Sequence, residues 1–249
     1  MIRRRRLVVS VPLWPVISRI SVAHAQDTAP PAAIAPLRVL FIGSSLIYIN
    51  SLPAVLSGLS AQSTEARKIE VEDVTFPDWT LTRHWDAGKA LSVIRNKHWD
   101  FVVLHPLGAS DLKDKSTALF DAEIRKVGAK TIIFAKFPPI RSGQLDNPDK
   151  YIADWEPTIS ALGALNAPVG LAWMEAFKAG IPRRALYDFD GIHPTLAGTY
   201  LAACVFFSVI YGRSPEGLQP PWTQGSGAPD AAVLNAAAWT AVQRVQNVR

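Results

Sequence analysis

The sequence has one cysteine, Cys204, in 249 residues. An intrachain disulfide is therefore impossible, and so is a cysteine-rich metal site. Cys204 lies in the apolar run "AACVFF", which suits a small buried side chain. Export is compatible with this lack, because a chain of this length builds a core without disulfides. Charge is sparse as well: 19% of residues are charged against 49% apolar, the balance of a globular chain. A basic folded domain is also missing. The formal net charge is +5, but Arg3, Arg4, Arg5, Arg6 and Arg19 all lie in the first 25 residues, which hold no acid. The remainder carries 21 basic and 21 acidic residues. Nucleic-acid binding needs a basic patch on the domain, so that class is excluded. No His/Asp/Glu cluster has metal-ligand spacing. No phosphate loop is present either, since "GSSLIYIN" lacks the later Gly and Lys. The expectation is a protein without metal, cofactor or nucleic-acid partner.

The basic start reads as a signal peptide over residues 1–25. "MIRRRR" forms the charged region, "LVVSVPLW" and "PVISRISV" a modest apolar stretch, and "AHA" a small-x-small cleavage site. Cleavage after Ala25 places the mature protein in the periplasm or outside the cell. Pro12, Pro15 and Arg19 interrupt the apolar stretch, so an unstructured tail or an uncleaved anchor are the alternatives. No later stretch reads as a membrane span, because polar residues break the apolar run around Val205. Residues 26–36, "QDTAPPAAIAP", read as a linker to one domain over 37–249.

The domain alternates between two kinds of segment. "LRVLFIG", "KIEVEDVTF", "WDFVVLH" and "AKTIIFAKF" are expected strands, with "APVGLAW" (167–173) a weaker fifth. Continuous apolar runs suit strands buried on both faces. Between them, 52–66, 80–97, 116–128 and 152–166 place apolar residues three and four apart, as helices do. This order predicts an α/β fold: a five-stranded parallel sheet with helices on both faces. A further helix is expected from Pro194 to about Tyr211, and a closing one after Asp230 as its N-cap. Ligand sites in such sheets lie beyond the carboxyl ends of the strands. That rule selects the segments 43–50, 76–80, 105–111 and 137–143.

Two of the chain's motifs can work together. After the first strand, "FIGSSL" sets Gly43, Ser44 and Ser45 where a nucleophile would stand. The helix that follows aims free N–H groups at the same spot, able to stabilise an oxyanion. Taken alone, the two serines read more readily as helix caps. Ahead of the last body helix, "DGIHP" sets Asp190 three residues before His193. A serine hydroxyl needs a base, and a histidine base needs a carboxylate on its other nitrogen. Trp79, Trp85 and Trp173 are candidates for a cleft rim or for the core, and His84 for packing.

"FIGSSL" resembles the first sequence block of the SGNH (GDSL-type) hydrolases, and "DGIHPTLAGTYLAA" resembles their last. "WDFVVL" and "PVGLAW" are similar to segments of bacterial exported members, so the resemblance spans roughly 37–247. It implies a flavodoxin-like three-layer α/β/α fold. It also implies Ser45 as nucleophile, His193 as base, Asp190 as its orienting carboxylate and the Ser45 N–H as an oxyanion donor. Two departures stand out. Ser44 occupies the usual Asp or Asn position. The second and third blocks, here "FPDWTL" and "VVLHPLGAS", lack the usual Gly and Asn. Asp78 or Trp79 by backbone and His105 by its ring are the substitutes the resemblance suggests, with Gly108 nearby. The resulting expectation is an exported serine esterase acting on carbohydrate acyl or small lipid esters. The alternatives are a catalytically weak accessory protein that binds envelope polysaccharide, and an acyltransferase.

Overall fold

The computed structural model describes residues 35–63, 67–222, 225 and 227–247. The expected signal peptide and most of the expected linker lie outside the described residues. Five strands form one sheet: β1 (Leu37–Gly43), β2 (Ile69–Thr75), β3 (Phe101–Leu104), β4 (Lys130–Phe134) and β5 (Leu165–Ala167). Every pairing is parallel and the order is β2-β1-β3-β4-β5. The expected α/β class and five-stranded parallel sheet are what the chain adopts.

The helices follow from that order. α1 (Ser45–Tyr48) and α2 (Leu52–Gln62) link β1 to β2. α3 (Leu81–Ala87) and α4 (Lys89–Asn96) link β2 to β3, on the other side of β1. α5 (Ala109–Leu112) and α6 (Lys115–Lys126) lead to β4, and α7 (Pro148–Leu162) to β5. α8 (Val169–Lys178), α9 (Arg183–Leu186), α10 (Leu196–Tyr211) and α11 (Ala231–Gln246) complete the chain. Right-handed crossovers running in opposite directions from β1 put their helices on opposite faces. Accordingly α2 packs with α10, which also meets α8 and α11, while α3, α4 and α6 pack together. The chain reverses between β1 and β3, so the loops after these strands border the crevice where such sheets bind ligands.

Three expectations need correction. The segment 80–97 is two helices, because Gly88 takes a φ of +71° between them and closes α3 with a bond from its N–H to Trp85 O. "APVGLAW" is not the fifth strand: β5 ends at Ala167 and Val169–Lys178 is helical. The Trp173 ring is buried there, stacked on Phe137 at 4.3 Å. The last body helix starts at Leu196 rather than Pro194, since Thr195 is its cap and accepts from the Gly198 N–H. The Asp230 cap is as expected, accepting from the Ala232 N–H.

α10 is buried along most of its length, and this positions what precedes it. Phe206 meets Phe41 of β1 and Phe134 of β4 edge-on at 5.4 and 5.3 Å. Such pairs add about 0.5–1.5 kcal/mol each beyond burial. The N-terminus of α10 is thereby held at the carboxyl end of the central strands.

Candidate active site

β1 ends at Gly43, whose hydrogen lies where a Cβ would fall 2.5 Å from His105 Cβ and 2.8 Å from Ile47 Cδ1. Only glycine lets the ends of β1 and β3 approach so closely. The Gly43 carbonyl accepts from the Phe76 N–H (3.1 Å) and from His84 Nε2 (2.9 Å). These bonds hold the peptide from which the chain turns. Ser44 is buried, with Oγ 3.3 Å from His105 Nδ1. Ser45 is half-buried and opens α1, so its own N–H is one that no turn of the helix uses.

The second half of the site is a compact loop. The Asp188 N–H bonds His193 O at 2.8 Å, and the Gly191 N–H bonds Asp188 O at 2.9 Å. Gly191 has a φ of +70°, and a Cβ there would strike Ile140 Cγ2 at 2.5 Å. Asp190 Oδ1 accepts from the N–H groups of Ile192 (2.8 Å) and His193 (3.0 Å). Its other oxygen accepts from His193 Nδ1 at 2.5 Å. His193 Nε2 in turn lies 2.9 Å from Ser45 Oγ. The two loops are tied together by Asn50, whose Nδ2 donates to Pro194 O (2.9 Å) and Thr199 Oγ1 (3.1 Å). Asn50 takes a φ of +56°, which asparagine tolerates better than most residues.

These bonds determine protonation. The His193 hydrogen bond, with the two N–H donors, lowers the Asp190 pKa to about 2. Asp190 therefore stays ionised through the working range and fixes the hydrogen of His193 on Nδ1, leaving Nε2 free to accept from Ser45. His84 and His105 lie behind the nucleophile turn, and burial holds both pKa values down, that of His105 to about 3. His84 Nδ1 and His105 Nε2 are buried without a partner, so a second ring proton would be stranded. Both rings are therefore neutral in the folded chain. The unfolded chain binds more protons between roughly pH 3 and 6.5, so stability falls as pH drops through that window. Melting temperature measured against pH should show this slope, and it should be shallower in His105→Asn. An unchanged slope in that variant would contradict the assignment.

The other residues expected at the site are placed as follows. Asp78 is exposed and takes a φ of +52°, the conformation a glycine would favour, directly after Pro77. Asp78 thus holds a turn of the kind a glycine would adopt. Trp79 is half-buried, stacked on Phe76 at 4.1 Å. Gly108 precedes α5 and lines a cavity beside Lys136. His105 is corrected: it is completely buried, so its ring is behind Ser44 and cannot donate to a bound ester. His84, expected to be a packing residue, is buried against Phe76 and Trp79 but has a second role, and Lys136 escaped the sequence reading altogether. His84 holds the Gly43 carbonyl, which its helical position gave no means of seeing. Lys136 is half-buried just past β4, and its signal was a lysine between apolar residues at the end of the run "AKTIIFAKF". Four exposed apolar side chains flank the site residues: Tyr48, Phe189, Ile192 and Leu196.

No protein-family model and no curated protein sequence matches the chain. Several solved structures do. One is a DUF4886 family protein from Bacteroides uniformis, with TM-score 0.63 and 16% identity over 84% of this chain and 95% of that one. Another is an acetylxylan esterase from Geobacillus stearothermophilus, with TM-score 0.53 and 16% identity over 75% of this chain and 97% of that one. A third is a lipase/acylhydrolase from Enterococcus faecalis, with TM-score 0.51 and 15% identity over 75% of this chain and 100% of that one. At such identities the likeness establishes the fold, which is the one shared by SGNH-type esterases. Two catalytic mutants of the Geobacillus enzyme replace an aspartate and a histidine three positions apart.

Proposed function

We propose that the protein is an exported serine esterase that works through an acyl-enzyme on Ser45. The observation that carries this reading is the unbroken chain Ser45 Oγ–His193–Asp190, with steps of 2.9 and 2.5 Å. The 2.9 Å step lies within the reach of a nucleophile and its base, roughly 2.6–3.2 Å, and the 2.5 Å step is a short hydrogen bond from the base to its carboxylate. Asp190 and His193 also share the three-residue spacing of the two residues replaced in the Geobacillus catalytic mutants. Export rests on the first 25 residues of the sequence.

Each group has one task. Ser45 Oγ attacks the ester carbonyl carbon as its proton passes to His193 Nε2. The carbonyl oxygen gains negative charge and lies against the Ser45 N–H at the start of α1. Asp190 stabilises the imidazolium that forms and keeps the ring in place. Collapse of the adduct breaks the bond to the alcohol, which leaves with the His193 proton. Water, activated by the same nitrogen, then attacks the acyl-enzyme and frees Ser45. The apolar rim at Tyr48, Phe189 and Ile192 suits an uncharged ester group, and the substrate class is an acylated carbohydrate or a small lipid ester. Asp190→Asn should lower kcat for 4-nitrophenyl acetate by roughly 10²–10⁴-fold, because the amide cannot hold the same tautomer. Activity within tenfold of wild type would contradict the role of Asp190.

The burial of His105 favours a second reading, a carbohydrate-binding protein of the same fold with little turnover. It loses a side-chain oxyanion donor, which costs on the order of 10²–10³ in rate. Covalent labelling of Ser45 separates the two.

A further inference from the structure

The loops after β3 and β4 and the helix α7 enclose a cavity of about 300 Å³ that the chemistry above does not use. It stands beside the candidate active site. Pro138 and Pro139 form part of its wall; the Pro138 carbonyl accepts from Tyr187 OH, and the next residue, Ile140, donates its N–H to Gly191 O at 2.8 Å. Gly191 lies between Asp190 and His193. The cavity is near the lower end for small-molecule sites, roughly 300–1,000 Å³, the scale of one ring rather than a chain of sugars.

Its wall has two chemical parts. Phe137, Tyr151 and Trp155 back it with apolar bulk, all three nearly buried, the Tyr151 and Trp155 rings 6.0 Å apart. Lys136 supplies a cation. Among the described residues, Lys136 forms no hydrogen bond and no ion pair. Burial pushes its pKa down, and Asp111 and Asp78 only partly offset this. The Asp111 carboxylate is engaged elsewhere, accepting from the N–H groups of Leu107 (2.8 Å) and Leu81 (3.4 Å). Asp154, the acid in the wall, is paired through both oxygens with Lys150 at 3.0 Å. Lys136 thus feels two carboxylates through space but has no hydrogen-bonded counter-ion, which leaves its N–H donors available to an anion entering the cavity.

We propose that this cavity is a subsite for a carboxylate-bearing sugar ring, with Lys136 taking the carboxylate. The inference rests on the esterase reading and narrows its substrate to an acylated acidic carbohydrate, whose ester group reaches Ser45 while a uronate unit occupies the cavity.

The test uses full-length Ser45→Ala protein and isothermal titration calorimetry with D-glucuronate and D-glucose. Glucuronate should bind about tenfold or more tightly than glucose, as expected for a desolvated charge pair. Lys136→Gln in the same background should erase the difference, and Lys136→Arg should keep it; melting curves verify that each variant folds. No glucuronate preference, or one that survives Lys136→Gln, would overturn the proposal. A second arm measures 4-nitrophenyl acetate turnover with Ser45 restored. An equal loss of kcat in Lys136→Gln would move Lys136 into the chemical step and likewise overturn the subsite. Because the binding arm needs no turnover, failure of the subsite is distinct from failure of Ser45 to act as nucleophile.

Discussion

Ser45→Ala should reduce hydrolysis of a short-chain 4-nitrophenyl ester by at least about 10⁴-fold. In serine hydrolases generally, loss of the nucleophile costs about as much as loss of the whole triad, because the groups act as a unit. What remains comes from oxyanion contacts and binding alone. Stability should barely change. Ser45 contributes one hydrogen bond, to a half-exposed histidine, worth about 1 kcal/mol at most in net terms. The expected result is therefore a folded, inactive protein with a melting temperature near that of wild type. A purified variant retaining more than a few per cent of activity would show that the hydrolysis belongs to another residue.

Gly43→Ala should fail in the opposite way, through the fold. A methyl group at Gly43 would fall 2.5 Å from His105 Cβ and 2.8 Å from Ile47 Cδ1, both in the completely buried core. Neither neighbour has room to yield. His105 is fixed between Ser44 and Phe134, the latter at 4.8 Å between rings. Overpacking of this kind costs about 1–3 kcal/mol, and more where rigid elements on both sides must separate. Chemical denaturation should show a loss in or above that range, and the parting of β1 from β3 should also displace the Ser45 turn. Equal stability and activity in this variant would contradict the role assigned to Gly43.

The sheet was legible because its strands are short apolar runs separated by helical periodicity, and that pattern has few alternatives in a parallel sheet. The errors have local causes. "APVGLAW" is apolar throughout, so periodicity could not separate a buried helix from a buried strand, and Pro168 divides the two at a point where both remained possible. Gly88 broke a helix whose apolar spacing continues across it, because the conformation of a glycine is not written in its neighbours. At the site, Asp190 and His193 were legible because loop residues this close in sequence have few ways to avoid each other. Ser45 was legible from the strand end and from family resemblance. Burial was not legible. His105 stands in a loop after a strand, where sidedness is decided by the approach of Gly43, a tertiary contact 62 residues away in sequence. Lys136 was hidden for the same reason: its charge has meaning only once the loops after β3 and β4 and the helix α7 close around it.

The central claim is that Ser45 is a nucleophile activated by His193. Incubation of the wild-type protein with a fluorophosphonate probe, followed by peptide mass spectrometry, tests it without knowledge of the substrate. The adduct should appear on Ser45 alone, and the labelling rate should fall at least about 10²-fold in His193→Ala, since the unassisted hydroxyl is a weak nucleophile. No adduct on Ser45, or one that forms equally fast without His193, would contradict the account.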